Sequence, residues 1–183
     1  MLLFMLKKNI FLTGFMGSGK TSLGKILSGM LGVDVFDTDE LITRLQGMSV
    51  AEIFSSYGES FFRDRESEVL ELLGQKAPGT CVVSTGGGAV LREKNRAAIK
   101  KNGLLVYLDI SAEEAYCRLK ETEGRPLLKA ENPLERIEQL LKERTPFYLQ
   151  ADICIDVNGK ALQEIAAELV AKLAVHNPGK GFS

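Results

Sequence analysis

The chain has 183 residues, 45% of them hydrophobic, enough for one domain with a sizeable core. Lys plus Arg is 23 against 24 Asp plus Glu, which leaves no broad basic field to attract nucleic acid or anionic lipid. A lone histidine, His176, and three cysteines without metal-type spacing argue against a His-based triad or a His or Cys metal site.

The N-terminal run M-L-L-F-M-L is too short to span a membrane, and lysines follow it rather than precede it, the wrong polarity for a signal peptide. It reads as a lead into a strand at 9–13, N-I-F-L-T, followed by a Gly-rich turn and a helix to about Leu31. A second strand is expected at 33–36, with helices at 39–46, 50–57 and 59–73. A third strand at 80–84 ends in Gly86-Gly87-Gly88 and leads to a helix at 91–101. L-L-V-Y-L-D-I (104–110) is a fourth strand, then a helix at 112–121 and a loop at 121–133 with Gly, two Pro and mixed charge. A helix at 134–144, a strand at 152–157 and a helix at 161–174 complete the pattern, and the tail H-N-P-G-K-G-F-S reads as frayed. Cys81 and Cys154 fall in apolar runs, so with Cys117 they read as reduced core thiols of a cytosolic protein.

Five strands separated by helices argue a single α/β domain over 1–183, with a parallel sheet covered on both faces. Ligands in such sheets bind at the carboxyl ends of the strands. There Gly14-Phe-Met-Gly17-Ser18-Gly19-Lys20-Thr21 fits the phosphate-binding pattern G-x-x-x-x-G-K-[ST], between a strand and a helix. Its backbone N–H groups can surround phosphate oxygens, Lys20 can reach the β- and γ-phosphates, and the Thr21 hydroxyl can bind Mg²⁺. A GTPase would need N-K-x-D, which is absent, and a motor would usually be longer. A small phosphotransferase that uses ATP on a metabolite remains.

The acceptor side is less specific. Asp37-x-x-Glu40 resembles a capping box, which accounts for Asp37 and leaves Asp39 as a spare carboxylate that could accept a hydroxyl proton. Glu66 shares an apolar helical stripe with Phe62, Val69 and Leu73, and Arg63 lies three residues away. The pair is either an ordinary surface ion pair or a carboxylate that orients Arg63 toward an anion. The triple glycine allows an unusual turn or a close approach. Since the third strand would end in Ser84-Thr85 without a Walker-B acid, Asp37 is the nearest carboxylate for a metal. Arg125, in the loop, could cover a transferring phosphate, and Arg144, expected to close its helix before Pro146, could serve an anion; either could equally be a solvated charge.

Taken together, G-F-M-G-S-G-K-T, D-T-D, F-F-R-D-R-E, S-T-G-G-G, G-R-P-L-L and E-R-T-P-F-Y resemble the shikimate kinase family in the order of its motifs, from Asn9 to Leu173. The resemblance implies a three-layer α/β/α P-loop fold with strand order 2-3-1-4-5, substrate-binding helices at about 38–74 and a mobile lid at about 121–133. It implies ATP-dependent phosphorylation of the 3-hydroxyl of shikimate, in aromatic amino-acid biosynthesis, by a cytoplasmic monomer. By the same resemblance Asp39 binds substrate hydroxyls and is the proposed base, Arg63 and Arg144 hold the shikimate carboxylate, and Gly87 binds substrate through its backbone. Thr21 and Asp37 serve Mg²⁺, Arg125 reaches ATP phosphates from the lid, and Arg118 flanks adenine. A related small kinase such as gluconate kinase, and a catalytically silent nucleotide-binding module, are the alternatives to be separated by an acceptor panel.

Overall fold

The computed structural model describes residues 7–120 and 131–176. The apolar runs form β1 (Asn9–Thr13), β2 (Asp34–Asp37), β3 (Cys81–Ser84), β4 (Gly103–Asp109) and β5 (Ile153–Asp156). They make one parallel sheet in the order β2-β3-β1-β4-β5, with Phe11 paired to Val83 on one side and to Leu105 on the other. Helices α1 (Lys20–Leu31), α2 (Thr38–Gln46), α3 (Val50–Gly74), α4 (Glu93–Asn102), α5 (Ala112–Lys120), α6 (Pro133–Tyr148) and α7 (Leu162–His176) cover it.

Successive strand residues feed two cores, as the two-residue period of a doubly covered sheet requires. Ile10, Leu12, Val106 and Leu108 pack with Leu23 and Leu27 of α1 and Leu169 of α7. Phe11, Val83, Leu105 and Tyr107 pack instead with Phe62, Val69 and Leu70 of α3. Helix α6 gives Ile137 and Leu140 to the first core and Tyr148 to the second, so it reaches from one face of the sheet to the other.

Several expected boundaries move for local reasons. The two helices expected at 50–57 and 59–73 run on as α3 with a kink at Gly58, whose φ of 80° and ψ of 171° suit glycine alone. The helix expected at 91–101 opens with a 3₁₀ turn at Ala89–Leu91 before α4 begins. Helix α6 does not stop at Arg144 but continues through Pro146 to Tyr148. A proline removes one ladder bond and strains the turn before it. Here it falls in the last turn, where the Thr145 hydroxyl donates to the Leu141 carbonyl at 2.7 Å. The Leu149 N–H then closes the turn on Thr145 O at 2.9 Å. Arg144 therefore sits inside the helix rather than at its C-terminus.

The cysteine reading needs correction too. Cys81 is a buried free thiol, but Cys117 and Cys154 are exposed. β5 is an edge strand that turns Ile153 and Ile155 inward, which leaves Cys154 and Asp156 outward. The N-terminal apolar run, most of the expected lid loop with Arg125, and the C-terminal tail lie outside the described residues.

Candidate active site

The turn from β1 into α1 places Gly17 and Gly19 at φ 83° and 89°, where an ordinary side chain would be strained. Gly19 is the N-cap of α1 and offers no side-chain cap, so the first N–H groups of the helix are left for an anion. Lys20 Nζ folds over this loop, donating to Gly14 O and Phe15 O at 2.9 Å each and to Ser18 Oγ at 3.4 Å. Arg118 of α5 donates to Gly17 O at 3.3 Å and Val157 O at 2.9 Å, and pairs with Glu114 at 2.8 Å. Its guanidinium is thus tied to the same loop.

Asp37, at the end of β2, performs two tasks with two oxygens. Oδ1 caps α2 by accepting from the N–H groups of Asp39 at 3.0 Å and Glu40 at 3.4 Å. Oδ2 accepts from the Thr21 hydroxyl at 2.8 Å. Capping and a role beside the P-loop are therefore compatible. The Thr21 hydroxyl also lies 3.3 Å from Ser84 Oγ, at the end of neighbouring β3. Two hydroxyls and a carboxylate are hard oxygen donors of the kind Mg²⁺ takes, and Mg²⁺ draws its remaining ligands from water and phosphate. Among the described residues no group of three or more His, Cys, Asp or Glu forms a metal cluster, which such a site does not need.

The triple glycine is the hinge of the opposite wall. A Cβ on Gly86 would lie 2.5 Å from Glu66 Oε1 and 2.9 Å from Asp39 Oδ1, and one on Gly88 would lie 2.6 Å from Arg63 Nη2. Arg144 Nη1 is 3.8 Å from the corresponding point on Gly87. A side chain at 86 or 88 would displace charged groups, so this loop is glycine for close approach. It gathers two carboxylates and two guanidinium groups from α2, α3 and α6.

One charge in this wall is fully buried, and Asp39, Arg63 and Arg144 are half-buried around it. Glu66 has no exposed surface and accepts from Arg63 Nη1 at 2.9 Å. Arg63 also bonds Glu59 at 3.2 Å from both Nε and Nη2, a second partner not singled out in the sequence although the i,i+4 spacing marks it. Burial works against the Arg63 charge, but Glu66 and Glu59 outweigh it and leave its pKa raised. Burial raises the Glu66 pKa despite Arg63. Burial, then the neighbouring Asp37 charge, raises that of Asp39. Asp39 Oδ1 and Glu66 Oε1 are buried with no hydrogen-bond partner among the described residues. An unmet buried acceptor costs roughly 1–3 kcal/mol, so these oxygens call for donors from water or a ligand.

The P-loop and this wall face each other across a cleft of about 860 Å³ that also includes Arg118, Phe54 and Phe62. That is room for a nucleotide beside a small acid. The structure brings together Lys20, Thr21, Asp37, Asp39, Arg63, Gly87, Arg118 and Arg144 around it. Phe54 and Ser84, which share the lining, carried no sequence signal beyond apolar spacing and the end of a strand.

A family model described as shikimate kinase matches residues 16–174. A shikimate kinase of Thermodesulfovibrio yellowstonii is 46% identical over 173 residues, covering 94% of this chain and 99% of that one. The solved structure of a shikimate kinase from Acinetobacter baumannii in complex with shikimate superposes with a TM-score of 0.88 at 36% identity, covering 96% of this chain and 98% of that one. A gluconokinase from Sinorhizobium meliloti, at 19% identity and a TM-score of 0.58 over 93% of this chain and 94% of that one, shares the fold alone.

Proposed function

The chain belongs to the shikimate kinase family, and from that premise we propose how its own residues divide the work. The enzyme transfers the terminal phosphoryl group of ATP to the 3-hydroxyl of shikimate, giving shikimate 3-phosphate and ADP in aromatic amino-acid biosynthesis. The observation that carries the division is the Gly86–88 loop, which brings Asp39, Glu66, Arg63 and Arg144 together opposite the P-loop.

On the nucleotide side, Gly14, Gly17, Ser18 and Gly19 present backbone and hydroxyl donors to the phosphates, and Lys20 moves from the loop carbonyls to the β- and γ-phosphate oxygens. Arg118 flanks the nucleotide base. Arg125, from the lid motif, adds positive charge to the transferring group. Thr21 and Asp37 would hold Mg²⁺, which when bound neutralises charge on the β- and γ-phosphates.

On the acceptor side, Arg63 and Arg144 grip the shikimate carboxylate, because a guanidinium offers paired donors in a plane. Gly87 contributes its backbone. Asp39 takes the hydrogen bond of the attacking hydroxyl as its oxygen bonds to the γ-phosphorus and the bond to the ADP oxygen breaks; the hydroxyl proton passes to the Asp39 carboxylate. A raised pKa brings Asp39 closer to the value an efficient base needs, and holding the hydroxyl in line supplies much of the effect in a loose transition state.

The reading includes a single domain over 1–183 acting as a cytoplasmic monomer, with neither nucleic acid nor membrane as partner. The formal net charge of −1 supports the first of these exclusions. No described helix is long and apolar enough to cross a membrane. A panel of hydroxylated acids tests the acceptor assignment: kcat/KM for shikimate should exceed that for gluconate by orders of magnitude, and comparable values would contradict it.

A further inference from the structure

Tyr148 carries a polar atom the reaction does not use. Its side chain has no exposed surface, and a buried phenol must find a partner. The partner is the carbonyl of Gly87, at 2.6 Å. The Tyr148 ring stacks on Tyr107 of β4 with centroids 5.0 Å apart and planes 17° apart. The Tyr107 hydroxyl in turn donates to Asp109 Oδ1 at 2.7 Å. A tyrosine has only two side-chain torsions, so a ring stacked in the core delivers its hydroxyl to one place.

That place is the middle of the loop that meets both arginines. Arg144 stands one helical turn before Tyr148 on α6, on the same side of the helix. The helix that presents Arg144 to Gly87 therefore also bonds Gly87. The peptide between Gly87 and Gly88 is planar and trans, so fixing the Gly87 carbonyl also fixes the Gly88 N–H. Gly88 is the residue against which the Arg63 guanidinium packs.

We propose that Tyr148 is a positioning residue for the acceptor acid, its hydroxyl setting the Gly87–Gly88 peptide and thereby the spacing of Arg144 and Arg63 across it. The proposal rests on the assignment of Gly87, Arg63 and Arg144 to shikimate. Burial holds the Tyr148 phenol above its ordinary range, against the charge and hydrogen bond of Arg144 and the charge of Arg63, so the hydroxyl remains a donor at working pH.

The test is steady-state kinetics with shikimate and ATP varied in turn on wild type, Tyr148→Phe and Arg144→Ala, with thermal unfolding of each. Tyr148→Phe keeps the stacked ring and removes the hydroxyl, with its bond to the Gly87 carbonyl and its contact with Arg144. The KM for shikimate should rise about fivefold while the KM for ATP stays within about twofold. Unfolding should stay cooperative, with Tm lowered by about 2–4 °C. An unchanged shikimate KM in Tyr148→Phe, with a raised one in Arg144→Ala, overturns this proposal alone. An unchanged shikimate KM in both overturns the acceptor assignment with it. Equal rises in both KM values, or loss of cooperative unfolding, would assign the hydroxyl to the fold and overturn the proposal.

Discussion

Replacing Arg63 by alanine should damage the fold as well as the site, in a way pH can separate. Glu66 has no exposed surface and Arg63 is its ion-pair partner at 2.9 Å, so Arg63→Ala leaves a buried carboxylate unpaired. Breaking one side of a buried pair typically costs about 3–5 kcal/mol. The low end, about 3 kcal/mol, applies here because Glu66 can take up a proton. For a chain of this size that is a Tm lower by roughly 6–12 °C at neutral pH. Burial already raises the Glu66 pKa, and removing Arg63 removes the main opposing influence. A carboxyl with a raised folded pKa favours the folded state at low pH and loses that contribution as pH rises through the folded pKa. The Tm deficit of Arg63→Ala should therefore shrink on going from pH 8 to pH 5, and adding Glu66→Gln should restore much of it at neutral pH. Thermal denaturation of wild type, both single variants and the double variant at the two pH values measures this. A deficit that is absent, that is the same at both pH values, or that Glu66→Gln deepens would refute the reasoning.

Other outcomes follow from the same wall and from Asp37. Asp39→Asn should lower kcat by about 10²–10⁴-fold with the ATP Kd nearly unchanged. Because the Asp39 pKa is raised in the folded state, this variant should be no less stable than wild type at neutral pH; a large fall in Tm would contradict the sign of that shift. The acid limb of kcat/KM for shikimate should fall above the ordinary aspartate value of 3.8, and a limb at or below it would remove Asp39 as its source. Asp37→Asn keeps a capping oxygen and should leave Tm near wild type while raising the Mg²⁺ concentration for half-maximal rate. Asp37→Ala should in addition lose about 1 kcal/mol of stability in urea titration; equal stability of the two variants would refute the cap, and an unchanged Mg²⁺ requirement in both would separate Asp37 from the metal. Gly88→Ala places a Cβ 2.6 Å from Arg63 Nη2, so the KM for shikimate should rise about tenfold with ATP binding intact, which isothermal titration with each ligand checks.

Much of this was legible in the sequence because the signals were periodic or contiguous. The apolar runs at 9–13, 80–84 and 104–110 became β1, β3 and β4 within a residue, as doubly buried strands should. Glu66, on the stripe with Phe62 and Val69, is buried and paired to Arg63, as a carboxylate on an apolar stripe with a cation three residues away requires. For Asp37 a cap and a ligand need the same residue type, and the separate use of its Oδ1 and Oδ2 makes the two compatible. Pro146 misled because the penalty for proline depends on where in a helix it falls, and sequence does not show that the last turn closes around it. Cys154 misled because strand composition does not reveal which strand lies at the edge. Tyr148 stood only as the last residue of E-R-T-P-F-Y with no role of its own, for its partner is a backbone carbonyl 61 positions away.

The measurement closest to the central claim is shikimate-dependent ADP release with Mg-ATP, with the phosphorylated carbon of the product located by NMR. Saturable turnover giving phosphate on the 3-hydroxyl, with wild-type Asp39, Arg63 and Arg144 all required, is the expected result. ADP release independent of shikimate, or phosphate on another position, would contradict the account.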